Sequence, residues 1–397
     1  NNNENKILNV PNLRFPEFSG EWSSQPLTDF MNFKNGLNPD AKRFGRGTKF
    51  ISVMDILNNQ YICYDNIRAS VELQDGDIET YGVDYGDILF QRSSETLEDV
   101  GRANVYLDSK PAIFGGFVIR GKSKGNYNPL FFRYLLASPT ARKRIIVKGA
   151  GAQHFNIGQD GLSKVSLDIP RLSEQEKIGK LLQCVDARIA TQNKIIEDLK
   201  KLKSAIIHRC YSSQTNMIPL SELLKQCSDR NRSGSDLQVL SVSNKYGFIA
   251  QSNQFEDREV ASDDTSNYKV VKKGMFAYNP ARINVGSIAL YEMDGNGIVS
   301  PMYVCFTTKS ELLPSYLKYY FASQTFKHEM YKRLEGSVRL CLTFEELCNI
   351  EIHLPSIEQQ KNISKYISKI ENNLSLVDSI FSKYQQQRRY LLSQMFI

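Results

Sequence analysis

Two long stretches of the chain alternate apolar and polar residues with the period of one face of an α-helix. Residues 173–210 carry apolar side chains at steps of four and three, and residues 358–395 repeat the pattern 185 positions later without a gap. Such spacing predicts a seam along which a helix packs on another helix, so each stretch is expected to pair with the other. The seam positions are Ile178, Leu182, Val185, Ile189, Ile196, Leu199 and Ile206 in the first stretch and Ile363, Ile367, Ile370, Leu374, Phe381, Tyr384 and Leu391 in the second.

One seam position is charged in both copies, as Lys203 and as Arg388. Two interpretations are open. The charge either extends from a helix end into solvent along its apolar stem, or it sets the register of the pair or meets a partner protein.

Both helices have start signals. Ser173 with Glu176, and Ser356 with Gln359, match the capping box, in which an N-cap hydroxyl and a side chain three residues later satisfy the first backbone N–H groups. A helix of 38 residues is about 57 Å long, which is longer than the core helix of an ordinary domain. The helices are therefore interpreted as spacers.

The 185-residue repeat extends upstream of the helices. Residues 129–138 match 314–323, residues 151–157 match 336–342, and residues 165–170 match 350–355. Further upstream, the likeness weakens and the offsets change. Each half therefore has a variable front and a uniform back.

Both fronts are predicted to be mixed α/β. Alternating patterns predict strands at residues 49–54, 87–91, 103–107, 112–120, 238–242, 247–250, 275–278 and 286–293. Asp294-Gly-Asn-Gly297 predicts a hairpin turn between Tyr291 and Val299. Pro129 and Pro314 are each expected to open a helix, and Thr343 with Glu346 predicts a helix start.

Length and composition indicate a soluble globular protein of several domains. The chain has 397 residues, of which 41% are hydrophobic and 23% charged. It contains no apolar run of about 18 residues and no secretory signal, so a cytoplasmic protein with no membrane association is expected. The seven scattered cysteines form no C-x-x-C pair and predict free thiols rather than a metal site.

Motifs for catalysis are weak. Residues 116–123 satisfy the phosphate-loop pattern G-x-x-x-x-G-K-S, but their apolar, β-forming middle and the lack of the pattern in the second copy argue against nucleotide binding. Residues 278–281 and 128–131 only approach the N-P-P-aromatic motif of amino-methyltransferases. No catalytic residue is assigned.

Basic residues are more informative, because the net charge is +7 and they gather in loops of both fronts. Such clusters favour a polyanion partner, and polar loop side chains there are suited to reading base edges. A cluster at Arg142, Arg144 and Lys148 lies on a predicted helix. The DNA-binding candidates are Arg43, Arg46, Lys49, Arg92, Arg102, Lys122, Lys124, Gln153 and His154 in the first front, and Arg230, Arg232, Lys245, Lys272, Lys273, Arg282 and Arg339 in the second.

The chain resembles the specificity subunit of type I restriction–modification systems over its whole length. The resemblance is carried by residues 10–22 (VPNLRFPEFSGEW), by residues 86–90 (GDILF), and by P-x-x-x-E-Q-x-K-I at residues 170–178. The second copy of the last motif, at residues 354–361, brings Glu-Gln one residue closer to the proline.

This resemblance implies two target recognition domains, at residues 1–168 and 213–353, separated by two long antiparallel spacer helices at residues 169–212 and 354–397. The internal repeat then gives pseudo-twofold symmetry, with each domain reading one half of a bipartite DNA target. Two methyltransferase subunits and restriction or motor subunits are the implied partners. S-adenosylmethionine, ATP and Mg²⁺ are expected in those partners, and no cofactor is expected in this chain.

Two alternatives remain open on the sequence. One is the specificity subunit of a type II-like system, whose partner fuses methyltransferase and nuclease. The other is a coiled-coil scaffold that binds no DNA. If about 57 Å of helix separates the domains, the half-site centres lie at most about one and a half turns of DNA apart, at roughly 34–36 Å per turn.

Overall fold

The computed structural model describes residues 9–151, 154–213, 215–232, 236–251, 264–336 and 340–397. The chain forms two compact units. Unit 1 comprises Asn1–Asn193 and Ser379–Ile397, and unit 2 comprises Lys194–Asp378. Both boundaries fall within long helices, so each unit contains part of both. The predicted mixed α/β fold with long helices is confirmed.

Unit 1 begins with a front of short strands and ends in helices. Its strands are β1 (Ser23–Pro26), β2 (Met31–Asn35), β3 (Phe44–Ile51), β4 (Ala69–Val71), β5 (Gly82–Val83), β6 (Ile88–Gln91), β7 (Ser93–Ser94), β8 (Ala103–Val105), β9 (Ala112–Phe114), β10 (Val118–Ser123), β11 (Phe155–Asn156) and β12 (Ser166–Ile169). Its short helices are α1 (Val53–Asn58), α2 (Asp77–Tyr81), α3 (Pro129–Ala137), α4 (Pro139–Ile146) and α5 (Gln159–Ser163).

Two four-stranded sheets form this front. One has the order β2-β10-β6-β8 and is antiparallel throughout. The other has the order β4-β3-β9-β5, in which β3 and β9 are parallel. Strand β1 pairs with β12 and β7 with β11.

The ten strands of the described part of unit 2 follow the order of ten of the twelve strands of unit 1, and the first long helix, α6 (Leu172–Tyr211), leads into unit 2. Its strands are β13 (Met217–Pro219), β14 (Leu224–Cys227), β15 (Val239–Ser243), β16 (Gly247–Ala250), β17 (Lys269–Val271), β18 (Phe276–Tyr278), β19 (Ile288–Leu290), β20 (Gly297–Val299), β21 (Val304–Thr308) and β22 (Glu351–His353). Its helices are α7 (Leu220–Leu223), α8 (Pro314–Phe321), α9 (Gln324–Lys332), α10 (Phe344–Cys348) and the second long helix, α11 (Ile357–Gln394).

The two four-stranded sheets of unit 2 reproduce those of unit 1 strand for strand. The order β14-β21-β18-β19 corresponds to β2-β10-β6-β8, and β16-β15-β20-β17 corresponds to β4-β3-β9-β5. The single parallel pair recurs as β15 with β20, and β13 pairs with β22 as β1 does with β12. The internal repeat therefore includes the fronts, where the sequences no longer align.

The two long helices start differently. The Ser356 hydroxyl accepts from Gln359 N at 3.3 Å, and Gln359 Oε1 accepts from Ser356 N at 3.1 Å, so the predicted capping box of α11 is confirmed. The predicted N-cap at Ser173 is wrong. Helix α6 already begins at Leu172, and the N–H groups of residues 174 and 175 both donate to the carbonyl of Arg171.

Several front elements differ from their predictions. The strand predicted at residues 49–54 ends at Ile51, because Ser52 and Asp55 form a capping box that starts α1. The strand predicted at residues 112–120 is interrupted by a turn between β9 and β10. The predicted hairpin between Tyr291 and Val299 is wrong, since β19 pairs with β18 and β20 with β15 and β17 in another sheet.

Each unit encloses parts of both long helices in its core. In unit 1, Ile178 and Leu182 of α6 and Leu391 of α11 lie in one apolar cluster with Trp22 and Phe131. In unit 2, Ile207 of α6 and Ile367 of α11 lie in one cluster with the helix α8 and the strand β21. The helices are therefore built into the globular cores as well as packed on each other.

The predicted seam follows the protected side of both helices. None of its fourteen positions is exposed; six are buried and the others are half-buried. All seven cysteines are free thiols. Within the described ranges, no helix combines the length and the apolar character that crossing a membrane requires.

Candidate nucleic-acid interface

Three segments of unit 1 converge where strand β6 ends. Arg92, the next residue, donates its backbone N–H to the carbonyl of Phe117 at 2.9 Å and accepts from Ile157 N, also at 2.9 Å. Phe117 lies in the turn between β9 and β10, and Ile157 follows β11. We define the Phe117 edge as Arg92, the turn at residues 115–117, and the segments 150–151 and 154–157.

Unit 2 contains the counterpart of this arrangement. Leu342 N donates to the carbonyl of Pro280 at 3.1 Å, and the side-chain amide of Asn279 donates to Sδ of Met302 at 3.6 Å. The bridge between residues 335 and 341 repeats that between residues 150 and 156 at the same offset of 185. We define the Met302 edge as residues 279–282, the turn at residues 300–303, and the segments 335–336 and 340–342.

Glycines shape the Phe117 edge. A side chain at Gly115 would approach the ring of Phe50 to 2.6 Å, and one at Gly116 would collide with Asn38. The turn is therefore tight, and the next residue projects outward. Gly151 and its counterpart Gly336 have φ of 145° and 109°, a region that L side chains rarely adopt, which explains why glycine recurs at this position of both units.

The outermost side chains of the two edges are apolar. Phe117 is 69% exposed and Met302 is 62% exposed. One exposed apolar residue is ordinary on a protein surface, but these two occupy matching turns at the offset of the repeat. Apolar side chains contact thymine methyl groups in the major groove or insert between base steps.

The Met302 edge adjoins a cavity of about 380 Å³ with a polar wall. Its lining includes Ser241, Ser243, Asn244, Asn279 and Arg282. The Arg282 side chain is exposed and makes no hydrogen bond or ion pair with any described residue. Amide, hydroxyl and guanidinium groups are the donors and acceptors that read base edges.

The Phe117 edge includes two of the predicted candidates, Arg92 and His154, and a third, Arg102, adjoins it. Arg92 is half-buried, and its Nη1 donates to the carbonyl of Gly116 at 3.3 Å. Arg102 joins the same strand end through a bond from Gln91 N to its carbonyl at 2.7 Å, and its guanidinium pairs with Asp99 at 2.6 Å. His154 is exposed just before β11. The structure thus places Arg92 and His154 in the Phe117 edge and bonds the backbone of Arg102 to the residue before Arg92.

The candidates on β3 and just before it are engaged within the protein. Arg43 pairs with Asp77 and donates Nε–H to the carbonyl of Glu72 at 2.9 Å. Lys49 Nζ donates to the carbonyl of Ile67 at 2.7 Å. Arg46 is the most exposed of the three and pairs with the Glu72 carboxylate at 2.7 Å. Arg46 and Lys49 lie on β3 in the second sheet, and Arg43 lies just before it.

Lys122 and Lys124 lie at the opposite end of strand β10 from Phe117. Lys122 pairs with Asp84 and is 3.5 Å from Asp87, and Lys124 Nζ donates to the carbonyl of Thr28 at 2.6 Å. Burial raises the pKa of Asp87. Hydrogen bonds from two backbone N–H groups and the charge of Lys122 act in the opposite direction. At about 3.3 Å per residue, Lys122 and Lys124 lie roughly 16 and 23 Å along the chain from Phe117.

In unit 2 the candidates divide in the same way. Lys272, 3.8 Å from Asp229, and Lys273, 2.8 Å from Asp294, precede β18, whereas Arg282 follows it. Arg230 donates to Asn267 Oδ1 at 2.8 Å, and Arg232 is exposed. Lys245 is exposed in the turn between β15 and β16, with Nζ 4.9 Å from the ring centre of Tyr246.

Of the predicted basic cluster, Arg142 and Arg144 lie on helix α4 and contact other parts of unit 1, whereas Lys148 follows the helix and is exposed. Arg142 donates to the carbonyls of Glu98 and Val100, and burial lowers the pKa of its guanidinium to about 10. Arg144 pairs with Asp168 at 2.6 Å. These contacts fix α4 to the rest of the unit.

Charge alone was a poor guide to the two edges. It missed Phe117, Asn279 and Met302 in the edges and Asn244 in the adjoining cavity, none of which is charged. The signal that could have found Phe117 and Met302 is the repeat itself, which aligns them. Gln153 and Arg339 lie outside the described residues. The phosphate-loop pattern is excluded, because residues 118–123 form strand β10 and no helix follows directly.

Metal chemistry has no obvious place in the part of the chain that the structure describes. There, no group of three or more His, Cys, Asp or Glu side chains is close enough to hold a metal ion.

Comparison with known proteins agrees with this architecture. A family model described as type I restriction modification DNA specificity domain matches residues 19–201 and 233–380. The putative type I restriction enzyme MjaX specificity subunit of Methanocaldococcus jannaschii is 22% identical over 404 residues, which cover 94% of this chain and 92% of that protein. The MjaVIII specificity subunit of the same organism is 24% identical over 408 residues, covering 94% and 91%.

Two solved structures share the fold. The S subunit of the type I restriction-modification system from M. genitalium matches with a TM-score of 0.61 at 15% identity, covering 98% of this chain and 99% of that one. A chain from a structural study of complex assembly and conformational transition in the type I R-M system matches with a TM-score of 0.54 at 13% identity, covering 94% and 96%.

Proposed function

The chain belongs to the type I restriction modification DNA specificity family, and from that premise we propose that each unit recognises one half of a bipartite DNA target. The Phe117 edge contacts one half-site, and the Met302 edge contacts the other. The chain thereby gives a restriction–modification complex its DNA sequence specificity.

The observation that carries this proposal is the duplication of the edge. The same three segments meet in both units: a backbone bond joins the strand end to the third segment in each, and the turn is held by a backbone bond in unit 1 and by the Asn279 side chain in unit 2. The side chains that they present are different: Phe117, Arg92 and His154 in one, and Met302, Asn279 and Arg282 in the other. Two edges that share a backbone arrangement but present different side chains are suited to a target whose two half-sequences differ.

The long helices have a separate role in this proposal. Helices α6 and α11 set the distance between the half-sites and dock two methyltransferase subunits, which methylate adenine. Restriction or motor subunits join the same assembly for cleavage. The chain itself catalyses neither reaction, and S-adenosylmethionine, ATP and Mg²⁺ bind to the partner subunits.

Of the alternatives that the sequence left open, the coiled-coil scaffold without DNA is not favoured by a family match that spans both units. A type II-like system with a fused methyltransferase-nuclease partner is not favoured either. Co-purification distinguishes it directly, because such a system yields one partner chain where a type I system yields two.

The deciding experiment maps methylated adenines in a host that expresses the chain with its own methyltransferase partner. We expect methylation at two short fixed sequences separated by unspecified bases of constant number. Methylation at one contiguous sequence, or none above a host that lacks the chain, rejects the proposal. We also expect the logarithm of the duplex-binding constant of the purified complex to fall linearly with the logarithm of the salt concentration. The slope should correspond to several phosphate contacts.

A further inference from the structure

Asp186 joins three elements of unit 1. Its Oδ1 accepts from Nε of Arg388 on α11 at 2.6 Å, and its Oδ2 accepts from the Tyr134 hydroxyl at 2.9 Å and from Arg133 Nη1 at 3.1 Å. Tyr134 and Arg133 belong to α3. The Asp186 side chain is only 8% exposed. A single carboxylate thus connects α6, α11 and the globular part of the unit.

Unit 2 repeats this junction with the helices exchanged. Glu371, the counterpart of Asp186 in the repeat, lies on α11 and accepts from Lys203 of α6 at 2.6 Å. The hydroxyl of Tyr319, the counterpart of Tyr134, donates to Glu371 Oε2 at 2.9 Å. Lys203 and Arg388 are the charged seam positions. In both units, therefore, that charge meets a carboxylate of the opposite helix.

Both ion pairs have the same register, because the residue numbers of each pair add to 574. The apolar seam cannot specify that register alone. Its positions recur every seven residues on each helix, so sliding one helix by seven residues matches apolar positions again.

The ion pairs do distinguish the registers. A slip of seven residues moves Asp186 from Arg388 to Phe381 in one direction and to Met395 in the other. The same slips move Glu371 from Lys203 to Ile196 or Cys210. Each slip takes the cation of the opposite helix away from both carboxylates: the buried Asp186 keeps only Arg133 of α3, and the half-buried Glu371 loses Lys203. Removing one partner of such an ion pair is unfavourable.

We propose that the Asp186–Arg388–Tyr134 and Glu371–Lys203–Tyr319 junctions are positioning sites that select one register of the helix pair and hold each recognition domain at one place on it. This inference rests on the proposed function, in which the helix pair sets the spacing of the half-sites. A slip of seven residues moves one helix about 10.5 Å along the other, which is the length of about three base pairs. The junctions therefore restrict the DNA spacer to a single length.

The test uses the whole chain in its methyltransferase complex and reads the spacer by adenine mapping. Four variants are compared with wild type: K203E, E371K, the exchange K203E/E371K, and K201E as a matched control on the exposed face of the same helix. We expect K203E and E371K to methylate additional sites with unchanged half-sequences and spacers altered by up to about three base pairs, at a tenth or more of the cognate level. The exchange restores a single spacer, and K201E keeps it.

A purely structural role predicts another result. If K203E and E371K unfold at a lower temperature but methylate only the wild-type spacer, the proposal is wrong. Should either fail to fold, K203M and R388M provide the same comparison without charge reversal, and D186E/R388K places the chemistry of the second junction in the first and is expected to keep the spacer. If wild type itself methylates no bipartite site, the proposed function fails instead.

Discussion

Phe117 and Met302 occupy the same turn of their respective units, and both expose most of their apolar side chain to solvent. The carbonyl of Phe117 accepts a hydrogen bond from the backbone N–H of Arg92, which follows β6. The sulfur of Met302 accepts one from the side-chain amide of Asn279, which follows the equivalent strand β18. Because neither side chain packs in a core, a change at either position tests recognition without disturbing the fold.

We expect F117S to weaken binding to one half-site and M302S to weaken binding to the other. The loss of an apolar base contact should lower affinity about ten-fold, or about 1.4 kcal/mol. Equilibrium binding of the methyltransferase complex to duplexes with one altered half-site measures this. Tyr85, 62% exposed at the opposite end of strand β6, supplies the control Y85S, which should bind as wild type does. Equal losses in all three variants would argue against the two edges.

Exchange of residues 26–168 for the corresponding part of a relative should replace one half-site and keep the other. The reason is that each edge is built entirely from segments of its own unit. Adenine mapping reads both half-sites in one experiment. A chimera that changes both half-sites, while its helical content and unfolding temperature match wild type, contradicts independent reading.

Removing one heptad from both long helices should shorten the spacer by about three base pairs, since seven residues are about 10.5 Å of helix. Deletion of residues 193–199 together with 375–381 leaves both ion pairs in register, because the stretch between the two junctions shortens equally on both helices. The half-sequences should stay the same in the methylation map. Deletion of residues 193–199 alone shortens only one helix, so the two ion pairs cannot both form. It is expected to reduce methylation at sites of every spacer length.

Cys305 offers a pH test of the unit 2 core. It is buried, and burial raises the pKa of its thiol to about 12. In the native protein at pH 8, iodoacetamide should therefore modify the exposed Cys184 and spare Cys305. Urea unfolding should expose both to the reagent.

The raised pKa of the Cys305 thiol also makes the free energy of unfolding decrease at alkaline pH. Above pH 9 the unfolded state releases the thiol proton while the folded state keeps it, so wild-type stability falls as pH rises towards 12, by up to about 1.4 kcal/mol per pH unit. The variant C305A lacks this dependence. The difference in free energy of unfolding between the two proteins, measured by urea titration at several pH values, should therefore narrow above pH 9. A constant difference would contradict the raised pKa.

The repeated helices could be predicted from sequence because their pattern is local and periodic. Every seam position follows from steps of three and four along one helix. The Ser356 cap is equally local, involving a hydroxyl and an amide three residues apart. Prediction failed at Ser173, where the same motif is present but the helix already begins at Leu172, with the carbonyl of Arg171 accepting the first bonds.

The fronts resisted prediction because their pairings are long-range. The strands on either side of the turn sequence between Tyr291 and Val299 belong to different sheets, because β19 pairs with β18 whereas β20 pairs with β15 and β17. The edges depend on the same kind of contact: Arg92 meets Phe117 and Ile157 across the fold. Similarly, Lys203 could be recognised from sequence as anomalous, but its partner Glu371 lies on another helix.

The core of unit 1 contains residues at the C-terminal end of helix α11 and just beyond it. The ring of Phe396 lies 6.5 Å from that of Trp22 and 5.6 Å from that of Phe131, and Leu13 N donates to the carbonyl of Gln394 at 2.9 Å. On the ribosome, about 185 residues separate the emergence of α6 from that of its closing segment, which is roughly 10–40 s of translation. The domain that is made first is thus completed last. A nascent chain stalled within unit 2 lacks the residues that complete the apolar core of unit 1. Chaperone binding to unit 1 is therefore expected at this stage of synthesis.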